Sequence, residues 1–418
     1  MLKQIMFENW KSFGAATLDI DPLTILIGTN ASGKSNALDG ILLLNRTALG
    51  KDLQEALAGD PTLAPIRGGI EWAAHHPGDR FTIQALLQGE EERTDYRYSI
   101  TIETAPRVQL AMESLYRVRY HVNTGRETSR TQLFFTDIAS SDSPSIIGRL
   151  YNENRGTKKE FRRATSILSQ LTGLTLRKEI TDGIETVART LQNIFILDPV
   201  PSNMRTYSAL TEHLQTDAAN IAGVLAALPV NQRKQVEATL SAYTTQLPER
   251  DIRRVWAEPV GKFGQDAMLY CEEAWTSDQS ATTIDARGMS DGTLRFLAIL
   301  TALLTRPNGS QLIIEEVDNG LHPSRTKLLL QMLKTIGQER QIDILVTTHN
   351  AALLDELGPE MVPFVVVAHR DPRTGDSELT LLEDLHSLPK LLAGGPLGQI
   401  VTKGSLERAL TRAELGAA

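Results

Sequence analysis

Eight residues near the amino end have the types and spacing to hold phosphate. Gly28-Thr29-Asn30-Ala31-Ser32-Gly33-Lys34-Ser35 fits G-x-x-x-x-G-K-[ST] at every fixed position. The two glycines let the backbone curl so that successive N–H groups point inward at phosphate oxygens. The amino end of a following helix adds partial positive charge. Lys34 has the reach for β- and γ-phosphates, and the Ser35 hydroxyl can complete the shell of a Mg2+ ion. Gly28, Asn30, Gly33, Lys34, Ser35 and Asn36 are therefore candidate contacts to a nucleoside triphosphate.

Three later segments carry complementary chemistry. Glu315-Glu316 follows the apolar run Gln311–Ile314. One carboxylate of such a pair can hold a hydrated cation while the next polarises an attacking water, so Glu315 is assigned to the metal and Glu316 to the water. His349 follows the run Ile342–Thr348, where an imidazole at a strand tip can contact a γ-phosphate and sense its loss. Ser290, Asp291 and Gly292 precede the apolar stretch Phe296–Leu304 and mark a helix start, where free N–H groups and a hydroxyl can bind phosphate. Lys34, Glu316 and His349 are the catalytic candidates.

These groups need a scaffold. Leu23–Ile27, Gln311–Ile314, Ile342–Thr348 and Ile194–Leu197 read as buried strands, and Asn36–Leu44 as a helix. Phe81–Leu87 and Tyr96–Glu103 alternate as a hairpin, with Val108–Val122 extending it. Thr136–Ser145 reads as a loop, Lys159–Leu171 as a helix and Leu210–Leu247 as helical. Arg253–Tyr270 reads as paired strands around Gly261. Val365–Val367 and Leu379–Leu382 form a terminal hairpin. The tail from Leu388, interrupted by Gly394, Gly395, Gly398 and Gly404, is expected to be mobile or docked on a partner.

Composition bounds the rest. A chain of 418 residues allows two or three lobes, and 41% hydrophobic with 22% charged residues excludes a disordered or collagen-like chain. No apolar run is long enough to span a bilayer, and the first nine residues have no signal-peptide core, so a cytoplasmic protein without membrane contact is expected. One cysteine, Cys271, excludes a disulfide framework and a cysteine-based zinc site. The net charge of −8 is uneven: residues 117–163 carry ten Lys/Arg and five acids, a local +5 that leaves −13 elsewhere. That stripe could hold nucleic-acid phosphates or an acidic partner protein.

The order of these motifs resembles the ABC-type ATPase heads of the SMC, RecF and OLD proteins, and more closely the bacterial AAA_21-type ATPases. The resemblance is carried by Ser290-Asp291-Gly292-Thr293-Leu294-Arg295 and by Leu321-His322-Pro323 after the acidic pair. It covers nearly the whole chain, most weakly from about residue 100 to 165. Val317 stands where proline is usual, and Glu315 where SMC heads carry aspartate. Asn9-Trp10-Lys11-Ser12-Phe13 is similar to an amino-terminal segment that approaches the nucleotide in SMC heads, which adds Lys11 and Ser12 to the candidates. Asp198 stands where ABC heads place a glutamine that binds Mg2+ or water; its carboxylate could touch the same metal shell.

What the resemblance implies is an α/β fold: an ABC-type P-loop ATPase head with an antiparallel β layer and a small helical subdomain. The expected division is 1–200 for a first lobe, 201–250 for the helical subdomain and 251–418 for a second lobe. The 254 residues between Ser35 and Ser290 hold no sustained heptads and no C-x-x-C hook, so no long coiled coil is expected. Fewer than 70 residues follow His349, too few for the metal-nuclease domain that OLD proteins append. The family pattern places Ser290–Gly292 in trans, with ATP and Mg2+ gluing two chains into a homodimer or a higher even-numbered oligomer. The implied function is an ATPase that switches a separate effector, a nuclease among the candidates, in anti-phage defence. The alternative is a RecF-like repair ATPase that binds DNA through residues 117–163. A nucleotide-holding scaffold without hydrolysis is disfavoured by the intact Glu315-Glu316 pair and His349.

Overall fold

The computed structural model describes residues 1–122, 124–140, 142–247, 251–274 and 281–416, with side chains through 410. The chain begins β1 (Leu2–Trp10), β2 (Phe13–Asp19), β3 (Leu23–Ile27), α1 (Lys34–Ala48) and α2 (Leu53–Ala58). Six strands follow: β4 (Arg80–Gln88), β5 (Thr94–Glu103), β6 (Gln109–Tyr120), β7 (Glu127–Thr136), β8 (Ser145–Leu150) and β9 (Thr157–Arg162). Next come α3 (Ile167–Leu171), α4 (Lys178–Gln192), β10 (Ile194–Leu197), β11 (Ser208–Ala209), α5 (Ile221–Ala227) and α6 (Val230–Thr244). The third sheet's hairpin, β12 (Ile252–Val260) and β13 (Asp266–Glu273), precedes β14 (Thr282–Asp285), α7 (Asp291–Thr305), β15 (Gln311–Ile314) and α8 (Thr326–Arg340). The chain finishes with β16 (Asp343–Thr348), α9 (Ala351–Asp355), β17 (Val365–Arg370), β18 (Ser377–Leu381), α10 (Leu388–Leu392), α11 (Leu397–Thr402) and α12 (Ser405–Gly416).

The functional strands share one six-stranded sheet in the order β10-β15-β16-β3-β17-β18, parallel except for β18. Every residue of β3, β15 and β16 is buried, the pattern of a parallel sheet covered on both faces. Alternation sorts the side chains. Ile25, Ile27, Leu312, Ile314 and Val346 pack into one core with α7 and α8, while Leu26, Ile313, Leu345 and Val366 pack into the other with α1, α4 and the antiparallel sheet. Each fully buried Leu or Ile contributes roughly 1.5–3 kcal/mol. A charge placed at Leu345 would face the second core with no partner.

The second sheet has eight antiparallel strands in the order β2-β1-β4-β5-β6-β7-β8-β9. Strand β4 alternates buried and half-buried residues as its sequence predicts. The third sheet, β11-β13-β12 with β14 also on β13, is covered by α5 and α6. No helix exceeds 15 residues among the described residues, so no long coiled coil is present, and none is long and apolar enough to cross a membrane.

Three expectations are corrected. Residues 157–162 form the edge strand β9, not the start of a helix, and only Ile167–Leu171 is helical. The run reads as a polar helix because it is rich in lysine, but lysine also suits an open sheet edge, and Phe161 is buried between charged neighbours. Residues 210–220 are not helical. Asp217 accepts from the Ala219 N–H and Asn220 from the Gln215 N–H, local bonds that compete with a helix. The tail packs on its own chain: Leu397, Ile400, Leu406 and Leu410 are buried in the first core. Residue 141 of the expected 136–145 loop, and 417–418 of the tail, lie outside the described residues.

Candidate functional site

Strand β3 ends at Ile27 and feeds the glycine loop directly. Gly28 has φ +147° and a Cβ there would lie 2.3 Å from the Ala368 carbonyl oxygen; Gly33 has φ +114° and its Cβ would lie 2.6 Å from Ser377 Oγ. Only glycine fits either position. Lys34 opens α1, and its Nζ donates to the carbonyls of Gly28 (2.6 Å) and Thr29 (2.9 Å). Burial lowers the Lys34 pKa, opposed by the carboxylates of Glu316 and Glu315. Asn30 to Asn36, Glu315, Glu316, Thr347 and Arg370 line one cleft of about 300 Å3.

The acidic pair enters this cleft from the end of β15. Ser35 Oγ donates to Glu315 Oε1 at 2.8 Å. Glu316 is held at φ +47°, and its N–H donates to Thr347 Oγ1 at 2.8 Å. This left-handed residue marks a strained turn. The Glu316 carboxylate lies 3.7 Å from His349 Nδ1, with Asn319 Nδ2 donating to it at 3.3 Å. Asp198 follows β10, the neighbour of β15. Burial, together with the negative charge of Glu315, raises its pKa, while Arg295 and Arg67 oppose the shift.

The serine-glycine segment is built separately. Ser290 caps α7, its Oγ accepting from the Thr293 N–H at 3.1 Å. Arg205 donates to the carbonyls of Ala286, Arg287 and Met289 and bonds Asp291 at 2.5 Å, so one guanidinium fixes the turn that presents the helix tip. A Cβ on Gly292 would lie 2.8 Å from the Gly320 carbonyl oxygen. Ser290, Asp291 and Gly292 are not among the residues lining the loop's cleft.

Lys11 and Ser12 also lie outside that lining. Lys11 Nζ donates to Asp39 Oδ2 at 2.5 Å and to the Arg67 carbonyl at 2.6 Å, and Ser12 Oγ accepts from Asn36 Nδ2 at 2.6 Å. Ser12 thus braces the first turn of α1 and Lys11 the second. Burial lowers the Lys11 pKa and raises that of Asp39, each opposed by the other's charge.

One chain thus brings together Lys34, Ser35, Glu315 and Glu316, with His349 beside Glu316 and Asp198 within electrostatic reach. Sequence reasoning missed Asp39, Arg67, Arg205 and Arg370. Arg370 Nε donates to the Ala31 carbonyl at 3.0 Å from the end of β17. Arg67 donates to the second oxygen of Glu315. The available signal for Arg67 was an arginine ahead of two adjacent glycines, which alone does not separate a site from a turn.

A parallel sheet that delivers a glycine loop, an acidic pair two strands away and a histidine on the strand between them define a P-loop NTPase. A family model described as "AAA domain, putative AbiEii toxin, Type IV TA system" matches residues 23–355, and the chain belongs to that family. The fold is similar to that of SMC head domains. A crystal structure of an SMC head bound to the C-terminal winged-helix domain of ScpA aligns with TM-score 0.52 at 13% identity, covering 91% of this chain and 97% of that one. The SMC head domain of Thermotoga maritima aligns at 0.41 and 13% identity, over 91% and 98% of the two chains. An SMC head with an extended coiled coil bound to the C-terminal domain of ScpA, from Pyrococcus furiosus, aligns at 0.48 and 11%, over 94% and 99%. No curated protein matches the sequence.

Proposed function

We propose that the protein hydrolyses ATP with Mg2+ and that two copies close head to tail on the nucleotide, a movement that switches a separate effector, a nuclease in anti-phage defence. The observation that carries hydrolysis is Glu316 set 3.7 Å from His349 beside the Ser35–Glu315 contact. The residues fit the ligand. Gly28 and Gly33 leave a cradle that a Cβ would close, and Ser32 Oγ is buried with no partner among the described residues. Hydroxyl and carboxylate oxygens from Ser35 and Glu315, with Asp198 near, are the hard donors Mg2+ takes when phosphates complete its shell.

In this mechanism the loop N–H groups and Lys34 bind the phosphates, and Ser35 and Glu315 would hold the cation, which would supply charge neutralisation to the phosphates. Glu316 accepts a proton from the attacking water, and His349 orients Glu316 and meets the γ-phosphate. The helix tip at Ser290–Gly292, outside the cleft of its own chain, supplies N–H groups to the partner's nucleotide. Phosphate release by wild type but not by Glu316→Gln tests the reading; equal rates would refute it.

A second reading, direct DNA binding, has one specific support. Arg155, Lys158, Lys159 and Arg162 are exposed on β9 and the turn before it, and none forms an ion pair among the described residues. Binding through these groups would fall steeply between low and physiological salt. A DNA mobility shift insensitive to salt would refute it.

A further inference from the structure

Arg67 has contacts unlike those of an ordinary surface arginine. Its guanidinium donates to Glu315 Oε2 and stands 3.9 Å from Asp39 Oδ1. Glu315 and Asp39 are only 20% and 5% exposed, while Arg67 itself is 50% exposed. The other Glu315 oxygen takes the Ser35 hydroxyl. Glu315 therefore faces a hydroxyl on one side and a positive charge on the other, which is the environment a divalent cation would create around it.

Ile66 is 1% exposed and Ala73 is fully buried, so the segment around Arg67 is pinned at both ends. Between them lie Gly68 and Gly69 at φ +77° and +57°, and a Cβ on Gly69 would meet nothing within 4 Å. Trp72 is 61% exposed, edge-on to His76 at 4.7 Å. Residues 67–72 thus form a hydrogen-bonded turn, closed by the Gly69 N–H on the Ile66 carbonyl and the Trp72 N–H on the Gly68 carbonyl and tied by Lys11 through the Arg67 carbonyl, so the Arg67 guanidinium reaches Glu315 from a fixed backbone.

We propose that Arg67 is a resident counter-ion for Glu315, and that entry of a divalent cation displaces its guanidinium from that carboxylate. The inference rests on the reading of Ser35 and Glu315 as cation ligands. A guanidinium and a divalent ion a few ångströms apart on one carboxylate repel, so the two occupy the position in turn.

The test needs no nucleotide. Mn2+ binding is titrated by electron paramagnetic resonance on wild type, Arg67→Ala, Arg67→Lys and Glu315→Gln. A half-exposed ion pair contributes little to folding, so Arg67→Ala retains its fold. Arg67→Ala binds Mn2+ about tenfold more tightly than wild type, the scale of removing one nearby charge. Arg67→Lys stays near wild type, and Glu315→Gln loses the binding. If Glu315→Gln loses Mn2+ but Arg67→Ala binds it no better than wild type, the counter-ion role is overturned and the cation site stands. If Glu315→Gln binds Mn2+ as wild type does, the cation site is refuted and the inference with it.

Discussion

Ser35 Oγ lies 2.8 Å from Glu315 Oε1, a contact between residues 280 positions apart. It forms because β3 and β15 flank β16 in one parallel sheet and end at the same edge. If the pair shares a cation, Ser35→Ala should weaken Mg2+-dependent ATP binding while leaving Mg2+-free binding nearly unchanged. Lys34→Ala should weaken both by at least about tenfold, the loss of a charge-assisted hydrogen bond. Titration of a fluorescent ATP analogue with and without Mg2+ checks both.

Glu316→Gln should keep nucleotide affinity, because the amide preserves shape, and lower phosphate release by roughly 100- to 10,000-fold, the range for losing a general base. The same variant should elute as a dimer with ATP and as a monomer without it. A monomer under both conditions would remove nucleotide-driven closure from the mechanism.

Composite sites can be tested by mixing inactive chains. Lys34→Ala lacks a working cradle, and Ser290→Arg lacks a working helix tip. If each site takes its cradle from one copy and its helix tip from the other, a mixture should recover part of the wild-type ATPase rate, since one heterodimer site has both parts intact. No recovery over a range of ratios would argue that both parts act within one chain.

Away from the site, Glu113 on β6 accepts from the Ile167 N–H (2.6 Å), the Leu168 N–H (2.8 Å) and the Tyr98 hydroxyl (2.9 Å). Burial pushes its pKa up to about 7, against the pull of those donors. The folded state therefore holds this proton more tightly than the unfolded chain does. Its stabilising contribution is fully present below about pH 4.5 and is lost as pH rises to about 7, a change of roughly 3 kcal/mol. Glu113→Gln stays neutral, so its thermal midpoint relative to wild type should rise across that interval in calorimetry.

Much of the parallel sheet was legible because β3, β15 and β16 are short apolar runs that each end in a residue with evident chemistry. The hairpin β4–β5 was legible from strict alternation. Strand β9 was not, since a run of lysines at an open edge has the same composition as a solvated helix, and only its pairing with β8 decides. The cradle and acidic pair were legible because their residues are adjacent in sequence. Arg67, Asp39 and Arg205 were not, because their roles arise from contacts across 248, 28 and 86 positions, which no local pattern records.

The strand that carries the glycine loop spans residues 23–27, and both of its hydrogen-bonded neighbours, β16 and β17, come from residues 343–370. The first strand of the site must therefore wait for residues 343–370 to emerge before its edges are covered. A ribosome-bound nascent chain carries the loop sequence without the surface that shapes it, so synthesis itself keeps the machinery silent until strands more than 300 residues further on are in hand.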